Sequence, residues 1–180
     1  MILKLETERL YLRPFKKEDA PFLYELNSDE EVMRYTGDFA FKDLEAAKKF
    51  AMDYVSNSQG QFALYKMGRI AVIRKEDNAF LGWSGLKKNV NNGYVDIGYR
   101  FMKKYWKKGY ATESGLEVLR HAFHDHKIEY LVAHVHELNY GSQIVAQKLG
   151  MQLDHRFLWN NREPARFYKI TASDYFKKFK

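Results

Sequence analysis

Four lysines, a glycine and a helix start crowd into Met102-Lys103-Lys104-Tyr105-Trp106-Lys107-Lys108-Gly109-Tyr110-Ala111-Thr112-Glu113, directly after the β-rich run Asp96-Ile97-Gly98-Tyr99-Arg100-Phe101. A strand that ends in a short basic loop and re-enters as a helix leaves several backbone N–H groups without intrahelical acceptors, at the positive end of the helix dipole. Such a turn suits an anion. Gly109 and Ala111 are small enough for phosphate oxygens to approach the backbone closely, and Lys107 and Lys108 add positive charge. The fit is to a pyrophosphate. Neither Gly-x-x-x-x-Gly-Lys-Ser/Thr nor Gly-x-Gly-x-x-Gly occurs, which excludes the two common nucleotide-phosphate loops. A plain lysine-rich loop ahead of a helix has the same composition, so the turn alone leaves that reading open.

The remaining chemistry-bearing residues are more scattered. Five of the six histidines, His121, His124, His126, His134 and His136, fall in one segment. His121 and His124 are helical neighbours and His134 and His136 share a strand face, but no His-Glu-x-x-His set supports zinc, so they are expected as surface or satisfied core side chains. Asp96 lies on a strand beside the basic turn, and Glu113 suits the first turn of a helix. The chain has 180 residues, 30 Lys+Arg against 23 Asp+Glu, a net charge of +7 and no cysteine. Disulfides, thiolate metal sites and a cysteine nucleophile are therefore excluded. The positive balance favours an anionic partner, with nucleic acid, acidic lipid and a phosphorylated small molecule all in range. Lysines flanking one phosphate-sized turn argue for the small molecule. No apolar run approaches the roughly 20 residues of a membrane span, and the acidic Met1-Ile2-Leu3-Lys4-Leu5-Glu6-Thr7-Glu8 does not read as a signal peptide. A cytoplasmic protein is expected, as monomer or homodimer.

These residues need elements to position them. Arg9-Leu10-Tyr11-Leu12-Arg13 alternates as a strand closed by Pro14; helices are predicted near 18–26 and 44–55, with Asp43 as N-cap and a short turn at 29–35. The runs 62–66, 70–74, 80–86 and 94–101 read as an antiparallel meander. A helix at 110–124, a buried strand at 128–136, a helix at 142–149 stopped by Gly150, and a hairpin at 153–159 and 165–170 complete the pattern. The order predicts one α+β domain over residues 1–180, with a mixed, mostly antiparallel central sheet of about seven strands flanked by helices and one late strand–helix–strand crossover.

The motifs acquire a common meaning together. Leu5-Glu6-Thr7-Glu8-Arg9-Leu10-Tyr11-Leu12-Arg13-Pro14, Ile97-Gly98-Tyr99, the Trp106 to Glu113 turn, Asn139 with Ser142, and Lys148-Leu149-Gly150-Met151 occur in an order that resembles the GNAT superfamily of acetyl-CoA-dependent N-acetyltransferases. The resemblance is closest to its RimJ/RimL-type branch, the ribosomal-protein N-terminal acetyltransferases, and covers nearly the whole chain. It implies that the backbone amides of Lys107, Lys108, Gly109, Tyr110, Ala111 and Thr112 hold the CoA pyrophosphate. Phe101 and Met102 would then pair with the pantetheine arm, Asn139 would bond pantetheine or nearby backbone, and Ser142 would stand near the sulfur as proton donor. Asp154, a few residues past Lys148-Leu149-Gly150-Met151, takes the place of that branch's carboxylate and is the first candidate for base. The branch often has glycine after its tryptophan, where this chain has Lys107.

The activity so implied is direct acetyl transfer to a primary amine in a ternary complex, without metal. Its acceptor is a protein N-terminal α-amine or, alternatively, a small amine such as a polyamine, amino acid or antibiotic. An α-amine ionises near 7.7 to 8.0 and needs only a modest base. A catalytically silent acyl-CoA-binding protein is the rival reading. Tyr35, Phe39, Phe41, Trp83 and Trp159 are candidate linings of an acceptor pocket between the early helices and the last hairpin.

Overall fold

The run Ile70-Ala71-Val72-Ile73 is buried throughout, although consecutive strand residues point to opposite faces. Ile70 and Val72 enter one apolar core and Ala71 and Ile73 another. A sheet built on this strand must be covered on both sides. A computed structural model describes residues 4–159 and 162–179 and shows that arrangement. Its strands are β1 (Leu5–Glu6), β2 (Leu10–Arg13), β3 (Arg69–Arg74), β4 (Phe80–Lys88), β5 (Val95–Phe101), β6 (Tyr130–His136), β7 (Gln152–Trp159) and β8 (Glu163–Thr171). They form one mixed sheet in the order β1-β2-β3-β4-β5-β6-β8-β7, antiparallel except where β5 meets β6.

One face carries α1 (Ala20–Ser28), α2 (Glu30–Met33) and α3 (Leu44–Ser56), through Leu23, Leu26, Val32 and Ala51. The other carries α5 (Tyr110–Arg120) and α6 (Tyr140–Lys148), through Val118, Leu119, Ala146 and Leu149, with Tyr175 of α7 (Ala172–Lys178) in the same core. Asp43 caps α3 by accepting from the Ala46 N–H at 2.8 Å, as the sequence predicts. No helix among the described residues is long and apolar enough to cross a membrane.

Four features depart from the sequence reading. The sheet has eight strands, because Leu5–Glu6 pairs with β2 as a two-residue edge. The 62–66 run is not a strand but part of the short helix α4 (Gln61–Tyr65). The Gln61 side chain bonds both backbone groups of Lys88, at 3.1 and 2.7 Å, so this segment seals the end of β4 rather than pairing with it. The 110–124 helix narrows to α5 and widens into a π-turn over His121–Asp125, closed by His126 N–H to His121 C=O at 3.2 Å. Finally, α7 follows β8 through a capping box in which Thr171 and Asp174 bond each other's backbone, a Thr-x-x-Asp signal legible in the sequence but not read there.

The chain enters α1 over a buried ion pair. Arg13 donates two hydrogen bonds to Asp19, at 2.7 and 2.8 Å, and the Lys16 N–H donates a third at 2.8 Å; Asp19 is 3% exposed. Removing one partner of such a pair strands the other charge, a loss of about 3–5 kcal/mol. Asp19→Ala is expected to lower the unfolding free energy by about 3 kcal/mol in urea titrations, with the m-value unchanged.

Candidate active site

β5 and β6 run parallel but pair only at Val95–Leu131 and Asp96–Val132. Beyond these residues the strands diverge and the sheet opens into a wedge. In the unbroken ladder with β4, Phe101 lies opposite Gly82 while the Met102 N–H bonds the Leu81 carbonyl at 2.9 Å. By the alternation of an antiparallel ladder, the backbone groups of Tyr99 and Phe101 therefore face the wedge, where no strand meets them. The Phe101 carbonyl is taken by the Trp106 indole N–H at 2.7 Å, which pins the following loop to the strand end. The Phe101 and Met102 side chains are buried in opposite cores, so only backbone from this pair faces outward.

The basic loop closes into α5 with Gly109 at φ +84° and Lys107 at φ +60°. Both sit in the left-handed region that favours glycine, which accounts for the glycine at the equivalent of Lys107 in the resembling branch. The first helical bond of α5 runs from the Glu113 N–H to the Gly109 carbonyl at 3.0 Å. The N–H groups of Tyr110, Ala111 and Thr112 thus have no intrahelical acceptor. With Gly109 they form a helix start with exposed N–H groups at the place where the sequence reading expects a phosphate cradle.

Arg9, which sequence reasoning did not single out, braces the cradle. Glu113 accepts hydrogen bonds from Thr7 Oγ1 at 2.5 Å, Arg9 N at 3.0 Å and Arg9 Nε at 2.7 Å, and the Arg9 guanidinium reaches the Lys108 carbonyl at 3.2 Å and covers the Tyr110 ring. Burial pushes the Glu113 carboxyl upward, but these bonds outweigh it and hold the group below its ordinary value.

A cavity of about 720 Å³ opens into the wedge on the α1–α3 side. Tyr35, Phe39, Phe41, Trp83 and Trp159 all line it, together with Asn139, Ser142, Tyr99, His134 and His136. Asn139 N-caps α6 by accepting from the Ser142 N–H at 3.1 Å, and the Tyr99 hydroxyl donates to the Ser142 carbonyl at 2.9 Å. Burial pushes the Tyr99 hydroxyl up to about 12, so it remains a donor. These bonds fix Ser142 at the mouth of the wedge.

His134 lies among Tyr94, Phe157 and Phe167, with the Tyr94 hydroxyl 3.3 Å from Nε2. Burial pulls its pKa below the usual value, keeping the imidazole neutral. His136 accepts the Leu138 N–H on Nδ1 at 3.1 Å and stacks on Tyr35. Far from this cluster, His121 pairs with Asp125 at 2.8 Å and with His126 at 3.1 Å. Asp96 is in the cavity wall, paired with Arg69.

Asp154 is not brought to the cavity. It stands exposed on the edge strand β7, at the bulge between Leu153 and His155, with the His155 imidazole at 2.7 Å. Residues 152–156 of this outermost strand are all exposed. The signals that would have picked out His134 instead were its place on a strand beside the wedge and its same-face partner His136.

The acetyltransferase (GNAT) domain family matches residues 9–152, and the chain belongs to that family of acetyl-CoA-dependent N-acetyltransferases. YnaD, an uncharacterized N-acetyltransferase of Bacillus subtilis (strain 168), is 28% identical over 155 residues, 86% of either chain. A GNAT-family acetyltransferase of Bacillus anthracis superposes with a TM-score of 0.82 at 25% identity, over 95% of this chain and 99% of its own. The spermidine N-acetyltransferase of Vibrio cholerae, solved with CoA and spermine, shares the fold at a TM-score of 0.77 and 16% identity, over 94% and 99% of the two chains.

The brace on the cradle carries a pH signature. Because the Glu113 pKa is depressed in the fold, its stabilising effect is present above the ordinary carboxylate value of 4.5 and is lost as pH falls through the lower folded value. Glu113→Gln is expected to be less stable than wild type at pH 7 and to converge with it toward pH 3, in urea unfolding at the two pH values.

Proposed function

We propose that the wedge receives the pantetheine arm of acetyl-CoA along β5, that the cradle from Lys107 to Thr112 holds its pyrophosphate, and that the aromatic cavity presents a primary amine to the thioester. The convergence of three features at one seam carries this reading: strand-edge backbone without a partner, a helix start with free N–H groups, and a cavity of ligand size. The left-handed Gly109 and Lys107 let the loop curl its amides inward, which suits a pyrophosphate. Asn139 spends its carbonyl oxygen on α6 and keeps its amide N–H₂ for the arm.

Bound there, acetyl-CoA supplies an activated acetyl group as its thioester. The N–H groups of Tyr99 and Phe101 face the position where negative charge develops on the carbonyl oxygen, in the manner of an oxyanion hole. His134 takes the proton that the acceptor nitrogen sheds as it forms the amide bond. Its imidazole is neutral, lines the cavity, and leaves Nδ1 without a protein partner among the described residues. Ser142 offers its hydroxyl hydrogen to the departing sulfur and regains a proton from solvent, while His134 releases to solvent the proton it took from nitrogen, so that one proton lost by nitrogen is balanced by one gained by the thiol. Asp154, expected from the resemblance as base, has no such access.

The cavity accommodates either a small amine or the first residue of a peptide. Tyr35, Phe41, Trp83 and Trp159 wall it with aromatic rings, which favours an acceptor with some apolar surface around its amine.

A release assay for free CoA with a panel of amines and N-terminal peptides is expected to find turnover with at least one α-amine. His134→Gln and Ser142→Ala are each expected to lower kcat/KM about 10²-fold, whereas Asp154→Asn stays near wild type. Besides the limb set by ionisation of the acceptor amine at about 7.7 to 8.0, the wild-type rate is expected to show a second decline below pH 6.5 as the His134 imidazole, whose pKa lies under that value, takes up a proton, and His134→Gln removes this lower limb. Near wild-type rates in both His134→Gln and Ser142→Ala would withdraw their roles.

A further inference from the structure

Two arginines share one wall of the acceptor cavity. The Arg69 and Arg100 guanidinium carbons stand 5.5 and 5.2 Å from the Trp83 ring centroid, and Gly98 makes room for this packing, since a Cβ there would meet Arg69 at 2.7 Å. Together with Lys87, three cations line the cavity against two carboxylates, Asp38 and Asp96. Two buried guanidinium groups around one ring need anionic partners, since each loses its hydration.

The two partners differ in kind. Asp96 belongs to β5, is mostly buried, and is fixed beside Arg69 by the sheet itself. Asp38, which pairs with Arg100, lies in residues 37–43, a stretch without regular structure. Its side chain is 63% exposed, whereas that of Arg100 is 9% exposed. The loop leaves α2 through Gly37 at φ +68°, is tied by the Asp38 N–H to Thr36 Oγ1 at 3.2 Å, and continues into Phe39, which is 94% exposed. The rest of Arg100 is held by Asn27 and Met33, while its Nε has no hydrogen-bond partner among the described residues. Burial draws the Arg100 pKa down and Asp38 draws it back up. Among the described residues, this buried guanidinium thus has as its sole carboxylate partner one carried on an exposed loop.

On the acetyl-transfer reading above, we propose that the acceptor is a primary amine that also bears a carboxylate, which Arg100 receives in exchange for Asp38 when the 37–43 loop lifts. A polyamine meets the opposite situation. Its further ammonium groups would face Arg69, Arg100 and Lys87, with both cavity carboxylates already paired. Two sources present the required chemistry: the α-carboxylate of a free amino acid, and an acidic side chain next to a peptide's N-terminus.

Matched acceptors separate them. With the full chain and acetyl-CoA, initial rates are compared for amino acids against their amides, for N-terminal peptides with Glu against Gln at the second position, and for spermidine. The carboxylate member of one pair is expected to exceed its neutral partner at least tenfold in kcat/KM, and which pair does so identifies the source. Asp38→Asn is expected to lower the KM of that acceptor severalfold, because the internal competitor is gone, while the KM for acetyl-CoA is unchanged. Arg100→Gln is expected to erase the preference within the pair. Equal use of charged and neutral partners, or preferred use of spermidine, overturns the proposal. Calorimetric binding in the presence of CoA, of N-acetylalanine against N-acetylalaninamide and of N-acetylated peptides with Glu against Gln at the second position, gives a readout independent of turnover. Preference for the carboxylate member of either pair without CoA release from any amine would overturn the acetyl-transfer reading and uphold the carboxylate site at Arg100; equal binding within both pairs overturns that site.

Discussion

The site depends on a failure of pairing. Parallel strands β5 and β6 hold together at Val95 and Asp96 and then part, and a sheet that stops pairing in its interior leaves backbone donors and acceptors that a folded protein must otherwise satisfy. Each neighbouring element answers that deficit in part. Trp106 caps the Phe101 carbonyl, Asn139 and Tyr99 hold the start of α6 beside the gap, and α5 begins where β5 ends. What remains unanswered is a strip of strand backbone along β5 and the free N–H groups at the start of α5.

A second dependence is between distant parts of the sequence. The cradle is built locally by Lys107 and Gly109, yet it is kept in place by Thr7 and Arg9 through Glu113, across more than a hundred residues. β1 is a two-residue edge strand, and β2 joins it to β3 while burying Leu10 and Leu12 in the core. The polar connection of Thr7 and Arg9 to α5 ties residues near the start of the domain to the basic loop ahead of that helix, so distant parts of the chain support one another.

Legibility in the sequence followed the range of the interactions. Gly109 before a helix, Asn139 three residues before Ser142, and the crossover after a meander are local signals, and the fold and cradle could be read from them. The Phe62 to Tyr65 segment could not, because its β-like composition was overridden by Gln61 bonding Lys88 from a distance. Asp154 shows the same limit. Its position after Gly150 placed it near the seam, but it lies on the outermost strand β7, where residues 152–156 are all exposed. The aromatic lining was legible as residue types, whereas the pairing of Arg100 with Asp38 has no local signature at all.

The parting of β5 from β6 also divides the sheet. Five strands lie on one side of the seam and three on the other, joined within the sheet by the short Val95–Asp96 contact and spanned by α5. Beyond that contact the backbone ladder between the two halves is interrupted for the rest of β5, so the sheet is two ladders sharing one short junction rather than one continuous ladder.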